Sequence, residues 1–177
     1  MLVKTSRFGT IDLNAEDLLD LPEGLLGFGH LHKFVFLDDP NDGIFAWLQS
    51  CEDPQIAFPV LEPELFTSSY RPMLSKSDLE ALRMNQPASC RYFTIVTIPQ
   101  DPTQMTANLK APIVVNTKDR IGRQCVLQDN NLAIREPIFS KLQSRVIQSA
   151  PVVVKNPSDD FPLVHLKREV PSPEIEK

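Results

Sequence analysis

The stretch DPTQMTANLKAPIVVN, residues 101–116, joins a polar turn to an apolar, β-branched run. Asp101 and Pro102 stop whatever precedes them, because proline fixes φ and donates nothing to a ladder. Thr106 and Asn108 carry short side chains that bond nearby backbone groups, and residues 111–115 are apolar. The reading is a loop feeding a buried strand.

Working outward, residues 91–98 (RYFTIVTI) are β-branched and aromatic throughout, and residues 124–127 complete a central set of strands. Residues 3–7 and 10–13 alternate around Phe8-Gly9 as a hairpin, and Asn14 caps a short turn through Glu16 and Asp17. Pro22, Gly24, Gly27 and Gly29 keep the chain in loops until Phe34. Residues 34–37, 44–49 and 56–61 are three short strands separated by Asp/Pro/Asn/Gly turns, a spacing that predicts antiparallel neighbours. Ser77 and Glu80 form a capping box for a helix that ends before Pro87. The pattern predicts a mainly β fold: a compact antiparallel domain, barrel-like or sandwich-like, with one or two short helices.

The chain has 177 residues, enough for one domain with a real core. Cys51, Cys90 and Cys125 are too scattered for a disulfide framework or a metal knuckle and read as reduced, packed thiols. Sixteen prolines against six glycines predict strands punctuated by stiff turns. No run is long and apolar enough to span a membrane and the N-terminus lacks a signal-peptide pattern, so the expectation is a soluble, cytoplasmic protein. The net charge of −5 hides an asymmetry. From Asp12 to Glu64 there are twelve acidic residues and one basic, Lys33, whereas from Lys110 to Arg145 seven basic residues face three acidic ones.

Chemistry finds little purchase. His30, His32 and His165 make no metal-ligand cluster, no glycine motif leads a strand into a helix, and no cofactor is expected. The carboxylate pairs Asp38/Asp39 and Glu62/Glu64 sit in polar, turn-rich stretches that read as a solvated acidic face. Ser50 and Cys51 have no histidine that sequence places beside them, so the reading is not an enzyme. An acidic chain is a poor match for phosphates, which argues against direct nucleic-acid binding. It is well suited to attracting a basic partner.

Residues 101–116 resemble the signature of the flagellar assembly factor FliW family. TSRFG (5–9), LPEGLLGF (21–28), DGIFAWLQS (42–50), DPQIAF (53–58) and GRQCV (122–126) match that family in the same order. The likeness covers residues 1–140 as a FliW-like β domain and leaves 141–177 as an extension, with an extra hairpin from 152–154 and 163–166 and then a tail. The resemblance implies a non-enzymatic flagellin-binding factor, a chaperone in flagellum biogenesis. It also implies antagonism of the translational repressor CsrA, exerted allosterically and coupling flagellin supply to its translation. Candidate contacts are Phe45, Trp47, Leu48 and Gln49 with Met105, Thr106, Ala107, Asn108 and Leu109, since both tracts mix polar groups with large or flexible apolar ones. Phe45 and Trp47, on one side of a strand, fit a core better than an interface, and Thr106 and Asn108 fit a turn. Asp38, Asp39, Asp42, Glu52 and Asp53 are candidates for long-range steering rather than individual affinity. Glu136 and Ala46 stand where relatives commonly carry a histidine and an aromatic. The alternatives from other classes are a small-ligand-binding β-barrel and a divergent enzyme.

Overall fold

The computed structural model describes residues 1–38, 44–87 and 90–146, together with Val164–His165. Twelve strands and two α-helices are assigned: β1 (Leu2–Thr5), β2 (Gly9–Asp12), β3 (Leu19–Asp20), β4 (Lys33–Asp38), β5 (Ala46–Ser50), β6 (Ala57–Leu61), α1 (Lys76–Ala81), β7 (Cys90–Thr97), β8 (Thr106–Ala107), β9 (Ile113–Asn116), β10 (Ile121–Gln124), β11 (Glu136–Pro137), α2 (Phe139–Val146) and β12 (Val164–His165). Seven strands close a barrel in the order β7-β6-β5-β4-β3-β10-β9, with β9 returning to β7. Its pairs are antiparallel except β3 with β10, which run parallel at Asp20 and Ile121. The barrel form of the expected mainly β fold is the one adopted.

Strand β4 explains why the apolar runs do not alternate with polar residues. Phe34 and Phe36 point into the barrel with Leu48, Val60, Phe93, Ile113 and Val115, while Val35 and Leu37 pack outside against Val3, Ile11 and Leu13 of the N-terminal hairpin. A strand covered on both faces is apolar at every position. Burying each such side chain contributes about 1.5–3 kcal/mol. Three covers surround the barrel: the β1–β2 hairpin over β4 and β5, α1 over Val114 and Ile121, and a second core around Phe45, Phe66, Met105, Ile138 and Leu142.

Several local details differ from the sequence reading. The helix cap is Ser75, whose Oγ accepts from the Asp78 N–H at 3.1 Å while Asp78 Oδ2 accepts from the Ser75 N–H at 3.0 Å, so the capping box lies two residues earlier than the Ser77/Glu80 box. Asp78 is drawn to this role because it also meets Arg123 Nε at 3.1 Å. Strand β10 begins at Ile121, and Thr106–Ala107 is a strand where a loop was expected. Helix α2 carries no capping signal strong enough to announce it. Val146 ends α2, and residues 152–154 of the expected hairpin and the tail after it lie outside the described residues. Val164–His165 pairs parallel with β4, Val164 opposite Leu37 and His165 opposite Asp38. No described helix is long and apolar enough to cross a membrane.

Candidate functional site

The tract from Met105 to Leu109 carries the short strand β8 and is built into the second core. Thr106 and Ala107 lie between β7 and β11, paired with Thr97 and Val96 on one side and Pro137 and Glu136 on the other. Met105, Ala107 and Leu109 are buried with Phe45. Asn108 Oδ1 accepts from the N–H groups of Lys110 and Ala111, both at 3.1 Å, and the Asn108 N–H donates to the Ile95 carbonyl at 3.0 Å. Asn108 therefore turns the chain from β8 into the run leading to β9. Within this tract Thr106 and Asn108 are part-exposed.

The other apolar tract splits in three directions. Phe45 joins Met105, Ala107 and Leu109; Leu48 points into the barrel; Trp47, 6% exposed, lies under the hairpin. The Arg7 guanidinium sits 3.9 Å above the indole and Phe8 packs edge-on at 5.8 Å, while the indole N–H has no hydrogen-bond partner among the described residues. Gln49 is buried, and its Nε2 donates to the carbonyls of Ser50 at 2.9 Å and Ile56 at 3.1 Å. It organises the 50–56 loop. These four residues are core and loop supports rather than exposed contacts.

Among the acidic candidates, Asp38 is 9% exposed, which makes it ill-placed for long-range steering; Asp39 and Asp42 lie outside the described residues. Glu52 accepts from the N–H groups of Lys33, at 2.9 Å, and His32, clamping the start of β4. The Lys33 N–H holds its carboxyl below the usual range, the slight desolvation opposes this, and the His32 N–H adds to it. Asp53 Oδ1 accepts from the Gln55 N–H at 2.9 Å. Glu52 and Asp53 are thus loop-fixing carboxylates first.

Sequence reasoning missed an open cleft of about 1130 Å³ between the second core and the α1 cover. Glu62 and Arg91 pair within it, with Tyr70, Met73, Pro87 and Tyr92 among its walls. Arg91 precedes Phe93 by two positions on β7, so its guanidinium lies at the barrel mouth, 5.8 Å from the Phe93 ring. Desolvation pushes the Glu62 carboxyl up, opposed by Arg91. Tyr70 Oη donates to the Leu109 carbonyl at 2.7 Å, which ties the cleft to the Met105–Leu109 tract. Burial pushes the Cys90 thiol up, and its Sγ donates to the Pro87 carbonyl at 2.7 Å, so the cleft offers hydrogen-bonding and apolar contact rather than a prepared nucleophile. Met73 is almost wholly exposed at the rim. Tyr70 two residues before Pro72 was the available sequence signal. Among the described residues no three His, Cys, Asp or Glu converge as metal ligands.

Fold and cleft together define a small β-barrel protein with an interior filled by side chains and an open cleft at its surface. The family model described as FliW protein matches residues 2–138. A flagellar assembly factor FliW of Bdellovibrio bacteriovorus is 66% identical over 158 residues, covering 89% of this chain and 90% of that protein. One of Ruminiclostridium cellulolyticum is 35% identical over 148 residues, covering 83% of this chain and 100% of that protein. A crystal structure of the flagellar assembly factor FliW superposes with a TM-score of 0.73 at 29% identity, covering 78% of this chain and 97% of its own. The chain belongs to the FliW family of flagellar assembly factors.

Proposed function

We propose that this protein acts in the cytoplasm by protein–protein binding, holding flagellin and antagonising CsrA, so that flagellin supply governs flagellin translation. The observation that carries the reading is the likeness to flagellar assembly factors over nearly nine-tenths of the chain. The geometry adds a contact surface: the cleft around Glu62 and Arg91, with Thr106 and Asn108 as the part-exposed members of the neighbouring tract. Mixed tyrosine, proline, methionine and paired charge suit a polypeptide segment, because they combine rigid apolar contact with hydrogen-bonding capacity. The acidic first third of the sequence favours approach of a basic partner such as an RNA-binding protein.

A ligand-enclosing barrel would need an empty interior, whereas Phe34, Phe36, Leu48 and Ile113 fill this one. The deciding experiment is calorimetric titration with flagellin from the same cell, repeated with CsrA present. Saturable flagellin binding that CsrA weakens supports the proposal. Binding to neither partner overturns it.

A further inference from the structure

Glu62 and Glu64 flank Pro63 in the short turn Pro63–Leu65 that follows β6, and both line the cleft. Arg91 reaches in from β7 and pairs with Glu62, its side chain only 16% exposed, while Glu64 stands exposed beside them. Tyr70, Pro72, Pro87 and Tyr92 supply apolar walls. We propose that the cleft is a receptor for a basic side chain of a partner polypeptide, arginine ahead of lysine, with its cation held by Glu62 and Glu64 and its stem along the tyrosine and proline walls. The inference rests on the reading of the cleft as a polypeptide contact surface and names the chemistry it selects.

The carboxylates are prepared for such a guest. Arg91 fixes Glu62, and its guanidinium lies 5.8 Å from the Phe93 ring. A carboxylate offers about four acceptor positions, so one ion pair does not saturate it. Desolvation pushes the Glu62 carboxyl up, Arg91 opposes this, and Glu64 adds to it. Arg91 thus leaves part of the cost of the buried charge standing, and a second cation removes it. The other cation of the lining, Arg71, is exposed and gives Nη1 to the Tyr70 carbonyl at 3.0 Å. Tyrosine faces attract a guanidinium and stack on its plane, whereas an ammonium is more strongly hydrated and has no flat face. Tyrosine and proline also cover the methylene stem that either basic side chain carries. Both acids belong to the acidic stretch from Asp12 to Glu64, whose field draws a basic partner inward.

The test follows the Arg91 and Tyr92 signals by nuclear magnetic resonance while the capped pentapeptide Ala-Pro-Arg-Pro-Ala is added, then its versions with lysine or citrulline at the centre. The arginine peptide is expected to give saturable shifts at both residues. The lysine peptide should bind roughly threefold more weakly and the neutral citrulline peptide roughly tenfold more weakly. Glu64→Gln, a change at an exposed side chain, is expected to weaken the arginine peptide roughly threefold to fivefold with the remaining spectrum unchanged. Equal binding of the citrulline and arginine peptides to the unaltered protein overturns the inference, as do shifts that spare Arg91 and Tyr92. If that result comes from a protein that still binds flagellin or CsrA, the proposed function survives and this inference alone falls. Selective capture of the arginine peptide by a protein that binds neither partner supports this inference and overturns the partner reading instead.

Discussion

Asn108 and Met105 sit three residues apart and carry different loads. Met105 is buried among Phe45, Phe66 and Leu142, so Met105→Ala should cost about 2–5 kcal/mol, read as a drop in urea midpoint. Asn108→Ala removes one acceptor serving two N–H groups and should cost about 1 kcal/mol, which makes it the cleaner probe of partner binding. Glu52 gives a pH signature. Its folded carboxyl is more acidic than in the unfolded chain, so its stabilisation is complete above the ordinary glutamate value of 4.5 and is lost as pH falls through the lowered folded value. Glu52→Ala should therefore lower stability by about 1 kcal/mol at pH 7 and by progressively less below pH 4.5, checked by denaturation at both ends of that range. Gly24 adopts φ +66, and a Cβ there would come within 2.4 Å of the Phe28 carbonyl oxygen. The tight loop of LPEGLLGF thus has a steric origin.

Arg123 links elements that are remote in sequence. From β10 it reaches Asp78 at the start of α1 and, at 3.0 Å, Glu23 in the loop before β4. Arg123→Ala should cost about 1.5–3 kcal/mol, because Asp78 is buried and loses its charged partner, keeping the capping N–H groups and the Cys125 thiol. Differential hydrogen exchange should place the loss in α1. The β1–β2 hairpin is a second such cover. It holds Arg7 and Phe8 over Trp47, the one tryptophan, so Arg7→Ala should red-shift the emission and increase acrylamide quenching while costing about 0.5–1 kcal/mol. Unchanged quenching would mean the hairpin alone shields the indole.

For the molecule as a whole, charge sets encounter and packing sets shape. If the partner is a basic protein, its association rate should fall steeply with ionic strength while dissociation changes little, measurable by stopped flow. Asp38 is a poor choice for testing that effect, since burial means Asp38→Asn perturbs the barrel end as well as the field. Glu64, exposed beside the cleft, is a better site for neutralisation.

Strand content, the N-terminal hairpin and the central strands were legible in the order of residues, because alternation, β-branching and turn chemistry act locally, and the family through tracts that resemble its motifs. The Thr106–Ala107 strand was not, since two residues carry no periodicity and become a strand only when β7 and β11 flank them. The cap moved from Ser77 to Ser75 because Arg123, forty-five positions beyond Asp78, supplies a partner that a local motif cannot foresee. Candidate contacts suffered most: Phe45, Trp47 and Leu48 read alike as hot spots, yet each faces a different core. By itself the sequence determined a β-rich acidic domain of the FliW family. Tertiary structure alone decided barrel closure and the cleft at Glu62 and Arg91, because each arises where chain segments far apart in sequence meet.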